Sequence, residues 1–151
     1  MNTQKLRQHQ VDKHLEPFRQ LARRRVPTGG WLKTIRLALG LTLRQQAKRC
    51  NIAFPTLHST EHSEAEDRIT LGQLRKMAAA LDCELVYALV PSKPLSEITE
   101  TQAEKIAQEE VFSVAHSMAL ENQRPTDTFL AEQIESRKRE LLTGKWSKLW
   151  G

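Results

Sequence analysis

Residues 39–61 read LGLTLRQQAKRCNIAFPTLHSTE, and this stretch decides the fold. Gly40 ends one helical pattern. Thr42 is placed to cap the next, because a threonine hydroxyl accepts a hydrogen bond from the free amides of a first helical turn. Leu43, Gln46, Ala47 and Cys50 then share one face of a short helix over 43–50. Asn51-Ile52 makes a tight connection. A further helix follows over about 53–62, with Pro55 tolerated in its first turn and Leu57 and Thr60 turned inward.

Working outward, Leu32, Ile35 and Leu39 repeat at helical spacing from Trp31. Pro27, Gly29 and Gly30 separate that helix from an N-terminal arm over about 4–24. The arm carries Leu6, Val11, Leu15, Phe18 and Leu21 and ends in Arg23-Arg24-Arg25. In the other direction, Glu64-Ala65-Glu66-Asp67 reads as a surface loop. Thr70 caps a helix over 71–81 whose inner face is Leu71, Leu74, Met77, Ala78 and Leu81. Cys83 to Val90 has apolar residues on both sides of a period-two alternation, which suits a strand covered on both faces. Pro91 and Pro94 end it. It has no ladder partner in this chain, so pairing with its copy in a second subunit is the expected use of its edge.

Thr99 and Gln102 have the spacing of a capping box, and a long helix follows to about Gln123. Pro125 ends it. Thr126 or Asp127 caps a last helix to Leu142, with Leu130, Ile134 and Leu141 inward and Gly144 beyond. The expected chain is mainly α with one strand. It divides into a basic helical arm (1–29), a helical domain with a terminal strand (30–90), a helical extension (96–143) and a tail (144–151).

Lys and Arg number 23 against 18 Asp and Glu, for a net charge of +5. The basic residues crowd into residues 1–50, where Asp12 and Glu16 are the only acids. The acids gather in 61–67 and 97–110, a division that suggests two partners. Cys50 and Cys83 offer neither metal spacing nor a disulfide framework and are expected as buried thiols. No run approaches the roughly 20 apolar residues that span a bilayer. The N-terminus has no apolar leader segment, so an intracellular protein that needs no membrane is expected. The five histidines are scattered, without a phosphate-cradling glycine loop or a nucleophile–base grouping. No enzyme activity, metal or cofactor is expected.

Two short helices joined by a tight turn let the second enter the DNA major groove and read base edges from its first turns. Here those residues are Ala53, Phe54, Pro55, Thr56, His58 and Ser59. Phe54 and the Pro55 ring suit a thymine methyl, whereas His58, Ser59 and His62 can hydrogen-bond to bases or phosphates. Arg44 and Gln45, at the start of the preceding helix, suit a phosphate. Spacing alone leaves open a helical bundle that never meets DNA. The order Leu39-Gly40-Leu41-Thr42, then Ala47, Ile52, Leu57 and Glu61, resembles the Xre or lambda-repressor-like helix-turn-helix family over about 31–82. The chain departs from that family at Gln46 (usually Leu), Asn51 (usually Gly) and Thr60 (often aliphatic). Asn tolerates left-handed backbone nearly as well as Gly. Gln46 and Thr60 are expected to weaken the core, or to bond each other if both face inward.

In the long helix, Val111, Val114, Ala115 and Met118 share one face, and Glu121 borders it. Ser117 lies four residues before Glu121 and is its surface neighbour. By periodicity alone this is a core stripe with a solvated acid at its margin. The residues Ser117-x-x-x-Glu121-Asn122 match the inhibitory motif of Fic-domain proteins, [Ser/Thr]-x-x-x-Glu-[Gly/Asn]. Most of the chain resembles the mobile mystery protein A family, through Gly30-Trp31, Ile35-Arg36, Ala38-Leu39-Gly40, Glu84 to Pro91, His116 to Glu121 and Leu149-Trp150. Members of that family are helix-turn-helix proteins whose genes accompany a Fic-domain protein, as in a toxin–antitoxin pair.

That resemblance implies a cytoplasmic bacterial antitoxin. Its Fic partner would transfer AMP from ATP to a hydroxyl of a target protein. Glu121 would pair with the second arginine of the Fic active-site motif and stand in for the ATP γ-phosphate. ATP would still bind, but misaligned for in-line attack. Ser117 would anchor the turn and Asn122 would permit close approach. Val111, Val114, Met118 and Leu120 would be docking contacts. Residues 30–90 would bind operator DNA, double-stranded, as a dimer that represses the gene pair. The alternative is a dimeric Xre-type repressor without Fic inhibition.

Overall fold

The computed structural model describes residues 2–151. Among them are seven α-helices, one short 3₁₀ turn and no strand. The chain forms two compact units. One is continuous, Gln20–Ala88; the other joins the N-terminal segment through Arg19 to Leu89–Gly151. No helix is long and apolar enough to cross a membrane.

The continuous unit holds α2 (Trp31–Ala38), α3 (Leu43–Cys50), α4 (Phe54–Ala65) and α5 (Leu71–Ala79). Thr42 and Gln45 close a full capping box at the start of α3: the Thr42 hydroxyl accepts from Gln45 N, and Gln45 Oε1 accepts from Thr42 N. Asn51 ends α3 with φ 54°, the left-handed turn expected of it. Leu32, Ala47, Leu57, Met77 and Leu81 form the core, with Cys50 and Cys83 half-buried at its edge. Burial pushes the Cys50 thiol up, partly offset by its hydrogen bond with Gln46.

Helix α4 runs past its expected end. The acidic stretch read as a loop begins inside it, and Glu64 is buried. The reason is that Glu64 replaces a missing cap: α2 has no side chain at its own N-cap, and Glu64 Oε1 accepts from Leu32 N at 2.8 Å. Gly30 makes that approach feasible. It sits at φ 88°, and a β-carbon there would lie 2.7 Å from Glu64 Cδ. Next to this contact, the Arg36 guanidinium donates to both Glu61 oxygens, through Nε at 3.0 and 2.9 Å, and to the Leu41 carbonyl through Nη1. Both side chains are 7% exposed. A buried ion pair persists only when its remaining polar atoms are also satisfied, and here they bind α2, α4 and the α2–α3 turn together.

Gln46 and Thr60 are both buried, yet they do not bond each other. Thr60 donates to the Thr56 carbonyl within its own helix, and Gln46 Nε2 bonds Cys50 Sγ at 3.3 Å. Gln46 Oε1 is left without a partner at a residue 2% exposed. Because an unsatisfied buried carbonyl costs about 1–3 kcal/mol, Gln46→Leu should raise stability by about 1 kcal/mol, read as a rise of roughly 4–8 °C in the thermal midpoint. An unchanged or lower midpoint would show that the amide has a role beyond packing.

The expected strand at 83–90 is absent. The segment makes no ladder, because no other segment among the described residues pairs with it. Nor is it covered on both faces: Val86, Tyr87 and Leu89 are exposed.

In the second unit, α1 (Thr3–Arg19) packs on α6 (Leu95–Leu120), so it is part of this unit and not a separate arm. It is shorter than the 4–24 expected. Asp12 caps α6, its carboxylate accepting from Leu95 N at 2.7 Å and Ser96 N at 3.2 Å, where Pro94 has no side chain to offer. Consequently α6 starts ahead of the expected capping box. Thr99 instead donates to the Leu95 carbonyl, and Gln102 Nε2 donates to Leu149 O at 2.7 Å. Helix α7 (Asp127–Thr143) is capped by Thr126 and lies along α6. The tail docks: residues Trp146–Leu149 form the 3₁₀ turn, Leu149 is 1% exposed, and Trp146 Nε1 donates to Leu142 O.

Candidate nucleic-acid face and inhibitory motif

The outer face of α4 follows from its inner one. Leu57, Thr60, Glu61 and Glu64 are buried, so Phe54, Pro55, Thr56, His58, Ser59 and His62 face solvent, with Ala53 exposed at the N-cap. All of the residues proposed to read DNA on this helix therefore lie on its solvent face. Arg44 is exposed on α3, with its guanidinium 5.8 Å from the centre of the Phe54 ring. That stacking steers an otherwise flexible cation toward the start of α4. Gln45 is less free than expected: its Oε1 serves the capping box, which leaves only its NH₂ for an anion. His62 Nε2 lies 3.0 Å from Glu66, which also pairs with Arg68.

In the other unit, Ser117 to Asn122 does not lie wholly within a helix. It is the helix end. Leu120 is the last residue of α6 and Glu121 its C-cap. Asn122 adopts φ 62°, its N–H bonding Ala119 O while Gln123 N bonds Met118 O. This pair of bonds is a Schellman turn, whose residue after the cap must take left-handed backbone and is commonly Gly or Asn. Ser117 Oγ lies 3.3 Å from Ser113 O. Glu121 is exposed and enters no ion pair among the described residues. A carboxylate at a helix C-terminus faces the negative end of the helix dipole, which costs about 0.3–1 kcal/mol unless a cation from elsewhere meets it.

The apolar stripe is divided. Val111 and Met118 are half-buried toward α7, whereas Val114 is 61% exposed; Leu120, off the stripe at the helix end, is 76% exposed. Between α6 and α7 runs a groove of about 430 Å³, lined by Val111, Val114, Ala115 and Met118 from α6 and Phe129, Leu130 and Gln133 from α7, with Pro125 at the motif end. At its opposite end Arg137 donates to Glu110 at 2.6 Å and to Glu140 at 2.9 Å, and these two carboxylates hold its guanidinium charged more firmly than usual. On the α7 side of this groove, Leu130 is the one lining residue expected to face inward. Phe129 and Leu130 are one turn past Pro125, and only the antiparallel return of the chain reveals that they face Val114.

Compared with known proteins, the chain matches no protein family, no curated protein and no solved structure.

Proposed function

We propose that this chain is the antitoxin of a Fic-type pair, inhibiting AMP transfer through Ser117, Glu121 and Asn122 and binding operator DNA through α3 and α4. The observation that carries the first task is the unpaired, exposed Glu121 carboxylate at the α6 C-cap. It is locked there by the Asn122 turn, beside exposed Val114 and Leu120. Val111 and Met118, which partly face α7, widen the docking surface through the groove rather than as free side chains. Their burial is the one feature that favours the plainer reading, a repressor whose C-terminal helices only pack together. Against it, Val114 lies on that stripe between Val111 and Met118 and is still 61% exposed.

For the second task, α3, its left-handed Asn51 turn and α4 support a helix-turn-helix of the lambda-repressor-like type. The exposed imidazole and hydroxyl side chains on α4 suit base edges, and Arg44 suits a phosphate. Dimerisation through 83–90 fits a largely apolar segment that enters no ladder and makes no backbone hydrogen bonds of its own beyond Cys83. Arg44→Ala should weaken binding to operator and random duplex alike and flatten the salt dependence by about one phosphate contact, whereas Ser59→Ala should change preference between sequences. Fluorescence anisotropy across a salt series measures both. Wild-type protein with no salt-dependent affinity would rule out the DNA task.

A further inference from the structure

The cleft between α2 and α4 contains a cation that neither task has used. It has a volume of about 250 Å³ and is lined by Lys33 of α2 and by His58 and His62 of α4, over a floor of Arg36 and Glu61. The floor is internally neutral, because Arg36 is committed to Glu61 and to the Leu41 carbonyl. Lys33 is exposed and joins no ion pair among the described residues. Its stem runs over the bare backbone of Gly29, where a β-carbon would stand 3.4 Å from Lys33 Cδ. Glu66, the carboxylate paired with His62, is shared with Arg68. The rim therefore offers one unpaired ammonium and the His58 imidazole around a small hollow, with His62 Nε2 already engaged by Glu66.

We infer that this cleft seats one phosphate, and that its occupant is a backbone phosphodiester of the DNA duplex lying along α4. The inference rests on the DNA-binding reading. A lysine is a compact charge with three donors, and imidazole N–H groups add directed ones, a combination that satisfies a phosphate without needing a fixed fork. His58 belongs both to the cleft rim and to the exposed reading face of α4, so a phosphate held here lies beside the bases that α4 would read. Such a contact carries no sequence information but fixes the register of the helix in the groove.

The test compares Lys33→Gln, Lys33→Arg and a charge-matched control, Lys105→Gln on α6, in the full-length protein. Lys33→Gln should lower DNA affinity about 5–10-fold on every sequence and reduce the log–log salt slope by about 0.9. Lys33→Arg should recover most of the loss, and Lys105→Gln should leave the slope at the wild-type value. An unchanged slope in Lys33→Gln, with wild-type binding intact, overturns the inference, as does an equal drop in Lys105→Gln. If the wild type shows no salt-dependent DNA binding, the DNA reading fails and titration with inorganic phosphate decides for the cleft. Shifts of the His58 and His62 ring protons that vanish in Lys33→Gln would keep a phosphate seat there with a free anion as its occupant. Absence of such shifts would remove the seat altogether.

Discussion

Glu61→Ala is expected to unfold the Gln20–Ala88 unit at temperatures where the wild type is stable. The substitution leaves the Arg36 guanidinium buried without its counter-charge, and breaking a buried pair from one side costs about 3–5 kcal/mol. A unit of this size has only about 3–10 kcal/mol in total. The thermal midpoint should fall on the order of 20 °C, and DNA affinity should disappear with it, because Arg36 also holds the α2–α3 turn through Leu41. The double variant Arg36→Met, Glu61→Leu separates charge from contact. Replacing both partners with apolar side chains of similar size should restore most of the lost stability. If Glu61→Ala shifts the midpoint by only a degree or two, water reaches the pair and it does not organise the unit.

Glu121→Gly should release the toxin while leaving the two proteins bound. Truncating one member of a desolvated charge pair costs about 2 kcal/mol or more of affinity, but the contacts of Val114, Leu120 and the α6–α7 groove remain. On the proposed reading, saturating concentrations of the variant would leave the arginine that holds the ATP γ-phosphate free. Because a displacement of about 1 Å can cost 100-fold in a reaction run by positioning, AMP transfer should rise on the order of 100-fold relative to the wild-type complex. Labelled ATP and a target protein give the rate directly. Glycine is a stringent choice and a tolerable one, since position 121 caps α6 at φ −95° and lies outside its interior. Stability of the helical unit should change by less than about 1 kcal/mol. Equal inhibition by variant and wild type would assign silencing to the docking surface alone.

Much of this molecule was legible in its sequence, and the failures have physical causes. The Thr42 cap, the bounds of α3 and the left-handed Asn51 are local effects, and local chemistry reads well. The misread elements were all decided by distant partners. Glu64 looked like part of an acidic loop, yet at seven residues past Leu57 it continues the buried face of α4 and caps α2 from the side. Its charge hid its place in the periodicity. Thr99 and Gln102 had the right spacing for a cap, but Asp12, more than eighty residues earlier, had already supplied one. The segment at 83–90 has strand composition without a strand partner. Composition fixes what a segment could pair with, and not whether anything in the chain is available to pair. At the candidate sites, the exposed face of α4 followed directly from Leu57 and Thr60 turning inward. The motif at 117–122 was visible as letters, while its meaning as a helix-ending turn needed the backbone: Asn122 is where α6 must leave its helix, and that exit sets Glu121 on the rim.

The account turns on Glu121 meeting an arginine of the partner's catalytic motif. A double-mutant cycle tests that contact most directly, with Glu121→Gln in this chain, the second motif arginine of the Fic protein replaced by alanine, and affinities measured by calorimetry for all four combinations. The account predicts a coupling of about 2 kcal/mol or more between the two positions. Losses that add to within about 0.5 kcal/mol would mean that the two side chains never touch, which contradicts it.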